Sequence, residues 1–391
     1  MTVQFDPFDH TVHDNPYPIY QELRDRAPVY YNEKFGFWAL SRYADCVAAL
    51  RDFKTYCNRF GQTLEPTAPG LLPIMLVMDP PDHTRLRKVV SRVLTPERVQ
   101  HLESYIRALA VELLAPHRER GQIDIVRDFS AKLPMAVISR LLQVPREDED
   151  MIRGWTDDAV HRDDGVFRMP DRGVESCGKL FAYFADLIER RRHQLGDGDD
   201  LLTLLIRTHE RGDISYDELL GFCFLLAIAG NETTTKLIGN MAYQFYRHPD
   251  QRRMLLDDPA LLPGAIEEVM RFDGPTQMQA RTLTRDVELH GVTMKEGDKV
   301  AILFISANRD ERHYADAGTF DIRRNPRDHI GFGFGAHACV GAALARLEAK
   351  IAFEEILRIM PDYTLDEAGL ERMHSPNVRG YTHVPLRFDP C

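Results

Sequence analysis

The stretch His329-Ile-Gly-Phe-Gly-Phe-Gly-Ala-His-Ala-Cys-Val-Gly-Ala-Ala-Leu-Ala-Arg346 places four glycines around one cysteine, Cys339. Glycines at alternate positions suit a backbone that adopts unusual φ and ψ angles or that closely approaches a bulky partner. A helix-forming run over residues 342–356 follows, so Cys339 is expected immediately before a helix N-terminus. Because free amides and the helix dipole favour an anion there, we expect this thiol to ionise easily.

Three interpretations of Cys339 agree with the loop alone. A lone cysteine is most often a buried structural residue. A tetrahedral zinc site needs four ligands, whereas His329, His337 and Cys339 provide three and no Cys/His pair lies nearby. An iron held inside a haem by one axial thiolate needs a single protein ligand, which the loop provides. In that case Phe332 is placed to shield the sulfur from water.

The segment from Phe332 to Gly341, Phe-Gly-Phe-Gly-Ala-His-Ala-Cys-Val-Gly, and the Leu344-Ala345-Arg346 that follows resemble the haem-binding loop of the cytochromes P450. The resemblance implies that Cys339 is the sole protein ligand to the iron of haem b. It also implies that Phe332, His337 and Gly341 lie against the cofactor.

The resemblance covers the chain from the region of Pro16 to Phe388 through four ordered motifs. It implies the cytochrome P450 fold, which is mainly α with small β-sheets. The expected architecture is a helix-rich bundle plus a β-rich region formed by N-terminal and C-terminal segments. We therefore predict a single cytochrome P450 domain over residues 1–391, although length alone would suggest about two or three domains.

Composition narrows the class of protein further. The chain has 391 residues, of which 44% are hydrophobic and 28% charged, as is usual for a soluble globular protein. The net charge of −11 makes nucleic acid an unexpected partner. The six cysteines are scattered without a CxxC pair, which indicates a reducing cytoplasm. No signal peptide or apolar span of ~20 residues is visible, so we expect no membrane attachment.

Hydrophobic periodicity and turn residues predict most secondary structure. The predicted elements are a helix over 16–26, a hairpin over 28–40, a helix over 43–52, an aperiodic apolar loop over 57–78, helical segments over 96–195 with breaks at 145–149 and 163–170, helices over 201–209 and 215–248, and strands over 287–305. Asp79 or Asp82 is expected to cap a helix near residue 82, and Asp199 or Asp200 the helix at residue 201. The capping box Ser215–Glu218 opens the longest helix.

The middle of that longest helix, Ala229-Gly-Asn-Glu-Thr-Thr-Thr235, breaks the usual helical preferences. An interior glycine costs about 1 kcal/mol, and a carboxylate in a buried helix is costly unless it is paired or functional. A tolerated kink is the alternative explanation. The resemblance is to the distal helix of the cytochromes P450, where Ala229 and Gly230 face the haem and Glu232 and Thr233 relay protons. Many relatives carry Asp rather than Glu at the acidic position.

Basic residues elsewhere point to an anion. His83 and Arg87 lie one helical turn apart and form a basic face that is either solvated or binds an anion. Their His-Thr-x-x-Arg pattern resembles the cytochrome P450 motif that contacts the haem propionates. The resemblance adds Arg281 and His337 to this set, and guanidinium groups pair well with carboxylates.

Glu268 and Arg271 form an i, i+3 pair that on its own is typical of a surface salt bridge. The pair matches the Glu-x-x-Arg of the cytochromes P450, so the resemblance implies a structural role that braces the core near the haem.

A lipophilic pocket is predicted from apolar residues of the aperiodic loop, the 163–170 break, the long helix and the 375–380 turn. Two glutamines add a polar anchor. The predicted lining residues are Phe60, Leu72, Ile74, Met75, Phe167, Leu225, Ile228, Gln277, Gln279 and Val378.

The resemblance implies a monooxygenase that inserts one atom of O₂ into a lipophilic small molecule by hydroxylation or epoxidation. A ferredoxin and its reductase are the expected electron donors, and an acidic ferredoxin is expected to dock on a basic face. The predicted docking residues are Arg85, Lys88, Arg92, Arg327 and Arg346. A peroxide-driven haem-thiolate enzyme and a non-catalytic haem sensor are the alternatives, and the Glu232-Thr233 pair argues against the first.

Overall fold

The computed structural model of the protein describes residues 3–65, 73–92, 94–195 and 200–391. Leu72, one of the predicted pocket residues, lies outside these ranges. The helices within them are α1 His10–Asp14, α2 Tyr17–Arg26, α3 Tyr43–Arg51, α4 Asp82–Ser91, α5 Pro96–Gln100, α6 Glu103–Arg118, α7 Lys132–Leu142, α8 Glu149–Val160, α9 Asp171–Arg192, α10 Leu201–Glu210, α11 Tyr216–Arg247, α12 Pro249–Asp257, α13 Leu262–Asp273, α14 Phe304–Ala307 and α15 Ala342–Ile359.

The strands are short and lie mainly near the two ends of the chain. They are β1 Val29–Asn32, β2 Phe37–Leu40, β3 Tyr56–Cys57, β4 Gln122–Asp124, β5 Met278–Leu283, β6 Val287–Leu289, β7 Val292–Met294, β8 Lys299–Leu303, β9 Thr364–Leu365, β10 Glu371–Arg372, β11 Tyr381–His383 and β12 Pro385–Arg387. The prediction of a mainly α fold with small sheets is confirmed. The prediction of a single domain over residues 1–391 stays a prediction.

The largest sheet joins the N-terminal hairpin to strands from the C-terminal half, in the order β1-β2-β8-β5-β3. The predicted hairpin is confirmed, with Val29 opposite Leu40. Strand β2 runs parallel to β8, and β5 runs antiparallel to β8 with Arg281 opposite Val300. This pairing fixes Arg281 in an interior strand, which is how its side chain comes to be buried.

Helix α11 is the central element, and it packs against α7, α8, α9, α13 and α15. The predicted capping box is present, because Ser215 accepts from the Glu218 amide and Glu218 accepts from the Ser215 amide. The helix continues without interruption through Ala229–Thr235. A Cβ at Gly221 would lie 2.9 Å from the Pro73 carbonyl oxygen, so this glycine lets the chain before α4 approach α11 closely.

Two details differ from the sequence-based expectation. The 96–195 region contains an additional break, in which β4 pairs with β12 and a π-helix spans Ile125–Ser130. Asp79 does not cap α4, because its carboxylate accepts from the amides of Asn58 and Arg59. Asp82 lies within the first turn of α4 and makes no side-chain cap either. By contrast, Asp200 caps α10 through the Thr203 amide, as predicted.

A fully buried ion pair connects α13 to the segment that follows α14. Glu268 and Arg271 are both 0% exposed, and the guanidinium contacts the carboxylate at 2.7 and 2.8 Å. Arg271 also donates to the carbonyl oxygens of Asn308 at 3.0 Å and Ala317 at 2.8 Å. The predicted structural role of this pair therefore rests on burial and on backbone contacts that the i, i+3 spacing alone does not reveal.

None of the helices in the described ranges is both long enough and apolar enough to span a membrane.

We expect Arg271→Ala to lower the free energy of unfolding by about 3–5 kcal/mol, because it removes the closer cation from the buried Glu268 carboxylate and leaves only Arg324 at 3.4 Å among the described residues. Arg192→Ala is the matched control, since Arg192 forms an exposed i, i+3 pair with Glu189 at 3.2 Å. Its loss should cost at most about 1 kcal/mol. Urea unfolding of both variants measures the difference, and equal costs would contradict the bracing role.

Candidate functional site

The loop that carries Cys339 has a backbone that only glycines fit. Gly333 and Gly335 have φ angles of +71° and +69°, which L side chains rarely adopt. A Cβ at Gly335 would also lie 2.7 Å from the Leu50 carbonyl oxygen. Across the loop the Cys339 amide donates to the Phe332 carbonyl oxygen at 2.7 Å. These constraints present the Cys339 side chain beside the start of α15.

Cys339 precedes α15 as predicted, with Gly341 as the residue that caps the helix. The expectation of an easily ionised thiol is wrong for the protein alone. Surrounding protein raises the pKa of Cys339 by desolvation, and this exceeds the opposite effects of the Gly341 amide, Arg87 and Arg346. Cys339 as a whole residue is nevertheless among the exposed ones. A metal ion that binds the sulfur would deprotonate it directly.

The loop is held from behind by one carboxylate. Glu267 accepts from the Arg346 guanidinium at 2.6 and 2.8 Å and lies 2.8 Å from Nε2 of His329. Although burial opposes it, hydrogen bonds from Arg346 and His329 lower the pKa of Glu267 to about 2. The Arg346 guanidinium also lies 4.3 Å from the centre of the Phe332 ring. His329 is therefore paired with a carboxylate, which argues against His329, His337 and Cys339 as the ligands of a zinc ion.

Four basic side chains gather beside the loop. The rings of His83 and His337 lie 4.1 Å apart, and the charges of Arg87 and Arg281 act on His337. Burial, then His83, Arg281 and Arg87, lower the pKa of His337 to about 3. Nδ1 of His83 and Nε2 of His337 are buried without a hydrogen-bond partner among the described residues. The structure thus brings together the four residues that were predicted to hold propionates.

Arg281 shows most clearly that this cluster fits an anion. Its side chain is buried, yet within the described ranges its hydrogen bonds go only to the Ala280 carbonyl oxygen at 2.7 Å and to Gln279 at 3.3 Å. Desolvation lowers the pKa of its guanidinium to about 10. The charge of Asp79 acts in the opposite direction, but Asp79 forms no ion pair with Arg281, and a buried cation without an ion pair is costly. The donors present therefore suit the two carboxylates of a haem, and the Cys339 sulfur suits its iron.

One face of α11 is accessible although most of the helix is buried. This face carries residues at helical spacing of three and four: Leu225, Ile228, Ala229, Gly230 and Thr233. Leu225 and Ile228 pack against the same apolar cluster as Ile74 and Met75. Val340, which follows Cys339, packs against that cluster too. The long helix and the Cys339 loop therefore share one apolar lining.

Two residues of this face have specific local constraints. The Thr233 hydroxyl donates to the Ala229 carbonyl oxygen at 2.7 Å, within the helix. A Cβ at Gly230 would lie 2.7 Å from Cδ1 of Ile138, so the glycine also permits close packing against α7. Sequence reasoning assigned Gly230 to the haem alone and did not anticipate the approach of α7.

Glu232 lies on a different side of α11 from Thr233. Its carboxylate is buried 3.5 Å from Nζ of Lys236 and accepts from Asn231 at 3.2 Å. Burial, and then the negative charge of Glu232, raise the pKa of Asp157 on α8. Two carboxyl groups and one lysine thus share this region. Sequence reasoning missed Asp157, because its proximity to Glu232 depends on how α8 packs against α11.

The predicted pocket residues have different surroundings. Ile74 and Met75 are buried in the cluster that adjoins α11, whereas Phe60 is 52% exposed beside Arg59. Phe167 packs edge-on against Phe8 at 5.1 Å, in an N-terminal aromatic cluster.

The remaining three pocket residues lie where β5 meets the 375–380 turn. Gln277 is buried and donates to the Pro376 carbonyl oxygen at 3.3 Å. Gln279 accepts from Arg281. Val378 forms an isolated β-bridge with Thr276, which fixes the turn against the strand.

Comparison with known proteins agrees with this geometry. The family model for Cytochrome P450 matches residues 167–360. The chain is 39% identical over 387 residues to putative cytochrome P450 123 of Mycobacterium tuberculosis (strain H37Rv), covering 97% of this chain and 96% of the relative. It is 38% identical to the vitamin D(3) 25-hydroxylase of Pseudonocardia autotrophica, covering 100% of this chain and 98% of that protein.

Solved structures of cytochromes P450 superpose on this chain over nearly its full length. The crystal structure of CYP109E1 from Bacillus megaterium in complex with testosterone superposes with a TM-score of 0.91 at 31% identity, and covers 97% of this chain and 99% of that one. The P450BioI structure in complex with an acyl carrier protein that carries hexadec-9Z-enoic acid superposes with a TM-score of 0.87 at 29% identity, and covers 97% and 100%. With a cysteine loop, a basic cluster and relatives matched over nearly their full length, the chain belongs to the cytochrome P450 family of haem b monooxygenases.

Proposed function

We propose that this monooxygenase hydroxylates or epoxidises a lipophilic small molecule with electrons from a ferredoxin and its reductase. The observation that supports haem binding is the buried Arg281, which forms no ion pair with a described carboxylate and lies beside His83, Arg87 and His337. These four side chains would hold the two propionates, and Cys339 would ligate the iron. Bound haem supplies the chemistry of O₂ activation and oxygen-atom transfer.

Thr233 would position protons at the accessible face of α11, and Glu232 would hold them on the buried side of that helix together with Asp157 of α8. The Thr233 hydroxyl is directed by its hydrogen bond to the Ala229 carbonyl oxygen, so its oxygen can accept a further hydrogen bond. Glu232 and Asp157 lie close enough for burial and mutual repulsion to raise the pKa of Asp157. Such a pair retains a proton more readily than an isolated carboxylate, which suits a general acid.

The substrate is proposed from the lining and from relatives. Leu225, Ile228, Ile74 and Met75 give an apolar wall, which favours an apolar substrate body. The names of similar proteins include vitamin D(3), testosterone and a hexadecenoic acyl chain, all of them lipophilic. Gln279 remains the proposed polar anchor, and a library screen for the spin-state shift of the haem identifies the molecule.

The electron donor is proposed from a basic groove beside the Cys339 loop. The groove has a volume of about 630 Å³ and no acidic residue among its lining residues, which are His83, Thr84, Arg87, Lys88, Ser91, Arg92, Thr95, Gly335 and Ala336. Two members of the predicted patch, Arg85 and Arg346, are paired with Glu218 and Glu267. Lys88, Arg92 and Arg327 are exposed, and we propose that they attract an acidic ferredoxin.

We also propose a cytoplasmic location. The six cysteines are all free thiols in the structure, as expected for a reducing compartment.

Cys339→Ser should abolish the red-shifted Soret band of the reduced CO complex, because an axial thiolate causes that shift. Cys391→Ser is the matched control, since Cys391 is exposed at the C-terminus. The reduced-CO difference spectrum measures both variants. Retention of the shifted band in Cys339→Ser would show that another group ligates the iron.

Thr233→Ala should raise the peroxide released per electron consumed, because it removes the hydroxyl that positions protons at the accessible face. Thr233→Ser keeps the hydroxyl and should keep electron use coupled to product formation. The assay uses a compound that the spin-state screen identifies, with peroxide and product measured together. Full coupling in Thr233→Ala would mean that protons arrive by another route.

The double charge reversal Arg92→Glu and Arg327→Glu should slow reduction by ferredoxin on the order of tenfold at low ionic strength, through lost electrostatic attraction. Arg190→Glu is the control, because Arg190 is exposed on α9, which packs against α8 and α11. Stopped-flow reduction over a range of salt concentrations measures the effect. An unchanged rate and salt dependence would place the docking surface elsewhere.

A further inference from the structure

Three histidines from the two ends of the chain meet away from the Cys339 loop. His10 and His13 lie one turn apart on α1, and His374 lies between β10 and the 375–380 turn. The rings of His10 and His374 stack at 3.7 Å, and the His13 ring lies 5.6 Å from the first and 5.8 Å from the second. One ring nitrogen of each residue lies within 4.8 Å of the other two.

The hydrogen bonds of two of these rings determine which nitrogen is free. Nε2 of His10 lies 3.2 Å from the Arg162 carbonyl oxygen, and Nε2 of His13 lies 2.7 Å from the Pro7 carbonyl oxygen. A carbonyl oxygen only accepts, so Nε2 carries the proton in both rings and Nδ1 carries the lone pair. Metal-binding histidines characteristically donate their second nitrogen to a backbone carbonyl or a carboxylate in this way.

Two ring nitrogens of the cluster have no hydrogen-bond partner among the described residues. They are Nδ1 of His13 and Nδ1 of His374, and both atoms are buried. A buried, unpartnered nitrogen costs free energy, which a ligand recovers. His13 is itself only 2% exposed, so this nitrogen is shielded from bulk water. Two such atoms in one cluster of three imidazole rings favour a ligand that accepts electron pairs.

The charge state of the cluster also favours a metal ion. Burial, then His10, His374 and Arg379, lower the pKa of His13 to about 4. Burial and then His10 lower the pKa of His374 as well. His13 and His374 are therefore mostly neutral at pH 7, which is the form in which imidazole binds a metal ion.

We propose that His10, His13 and His374 form a binding site for one divalent transition-metal ion, with Zn²⁺ as the preferred ion, separate from the haem. Imidazole nitrogen suits Zn²⁺, Cu²⁺ and Ni²⁺, whereas Mg²⁺ and Ca²⁺ require oxygen ligands. Tetrahedral zinc places its nitrogen ligands roughly 3.4 Å apart at Zn–N distances near 2.1 Å. To close the set, the half-buried His10 ring would rotate off His374 and give up its contact with the Arg162 carbonyl oxygen, and water would complete the coordination.

The site would cross-link segments that surround the α8–α9 connection. The His10 amide donates to Asp164 at 2.9 Å, and the Arg162 amide donates to the His374 carbonyl oxygen at 3.0 Å. The Gly165 amide donates to the Phe8 carbonyl oxygen at 2.8 Å. The connection thus rests on both α1 and the chain at His374. A metal ion that joins these two supports stabilises the folded state in proportion to its occupancy.

To test the proposal, the haem-loaded, tag-free protein is first treated with a chelator and is then titrated with zinc. Isothermal titration calorimetry should show one equivalent of Zn²⁺ bound, and the melting temperature should rise with zinc concentration. His374→Ala and His10→Ala should each weaken binding by about tenfold or more, since each removes a ligand. His101→Ala is the control, because His101 is an exposed histidine outside the cluster.

Zinc K-edge absorption of the unaltered protein gives a readout that no variant's folding affects. The proposal predicts scattering from imidazole rings, with no sulfur ligand. Absence of zinc binding, sulfur or oxygen ligands only, or equal affinity in His374→Ala and the unaltered protein would each overturn it. The reduced-CO spectrum of each variant shows whether its haem site is intact, so failure of the zinc site and failure of the haem assignment are distinguishable.

Discussion

The buried ion pair between Glu268 and Arg271 is the constraint on which the position of the haem loop depends. Arg271 holds the Asn308 carbonyl oxygen, and the Asn308 side chain accepts from the Ile330 amide at the start of the loop. The adjacent Glu267 binds Arg346 and His329 on the other side. One short stretch of α13 therefore fixes both ends of the loop. Its two carboxylates serve packing, and neither faces the reacting atoms.

The chemistry of the site follows from what the scaffold leaves without a partner. Arg281 is buried by its place in the sheet, and no carboxylate of the described residues pairs with it. His83 and His337 keep unpartnered nitrogens beside it. Burying these groups without partners costs free energy, and an anionic cofactor offsets that cost. Binding of haem and completion of the fold are therefore coupled. The apolar cluster shared by α11 and Val340 is the basis of the proposed preference for lipophilic molecules.

Local signals in the sequence predicted the parts of the fold that depend on neighbours in the chain. The Ser215–Glu218 capping box and the Asp200 cap are examples, since each contact spans three residues. Contacts between distant segments were not predictable from local signals, and the grouping of His83, Arg87, Arg281 and His337 was predicted only through the family resemblance. The pKa of Cys339 is raised by desolvation, which outweighs the expected effect of the helix dipole. The neighbourhood of Glu232 depends on Asp157 of α8, and His374 contacts α1 from the other end of the chain.

Iron K-edge X-ray absorption of the purified, unaltered protein tests the central claim, that Cys339 is the only protein ligand of the haem iron. The account predicts one sulfur scatterer in addition to the porphyrin nitrogens. It is the most direct measurement, because it reports the ligand atom itself rather than a consequence of its presence. A first shell made only of nitrogen and oxygen atoms would contradict the account.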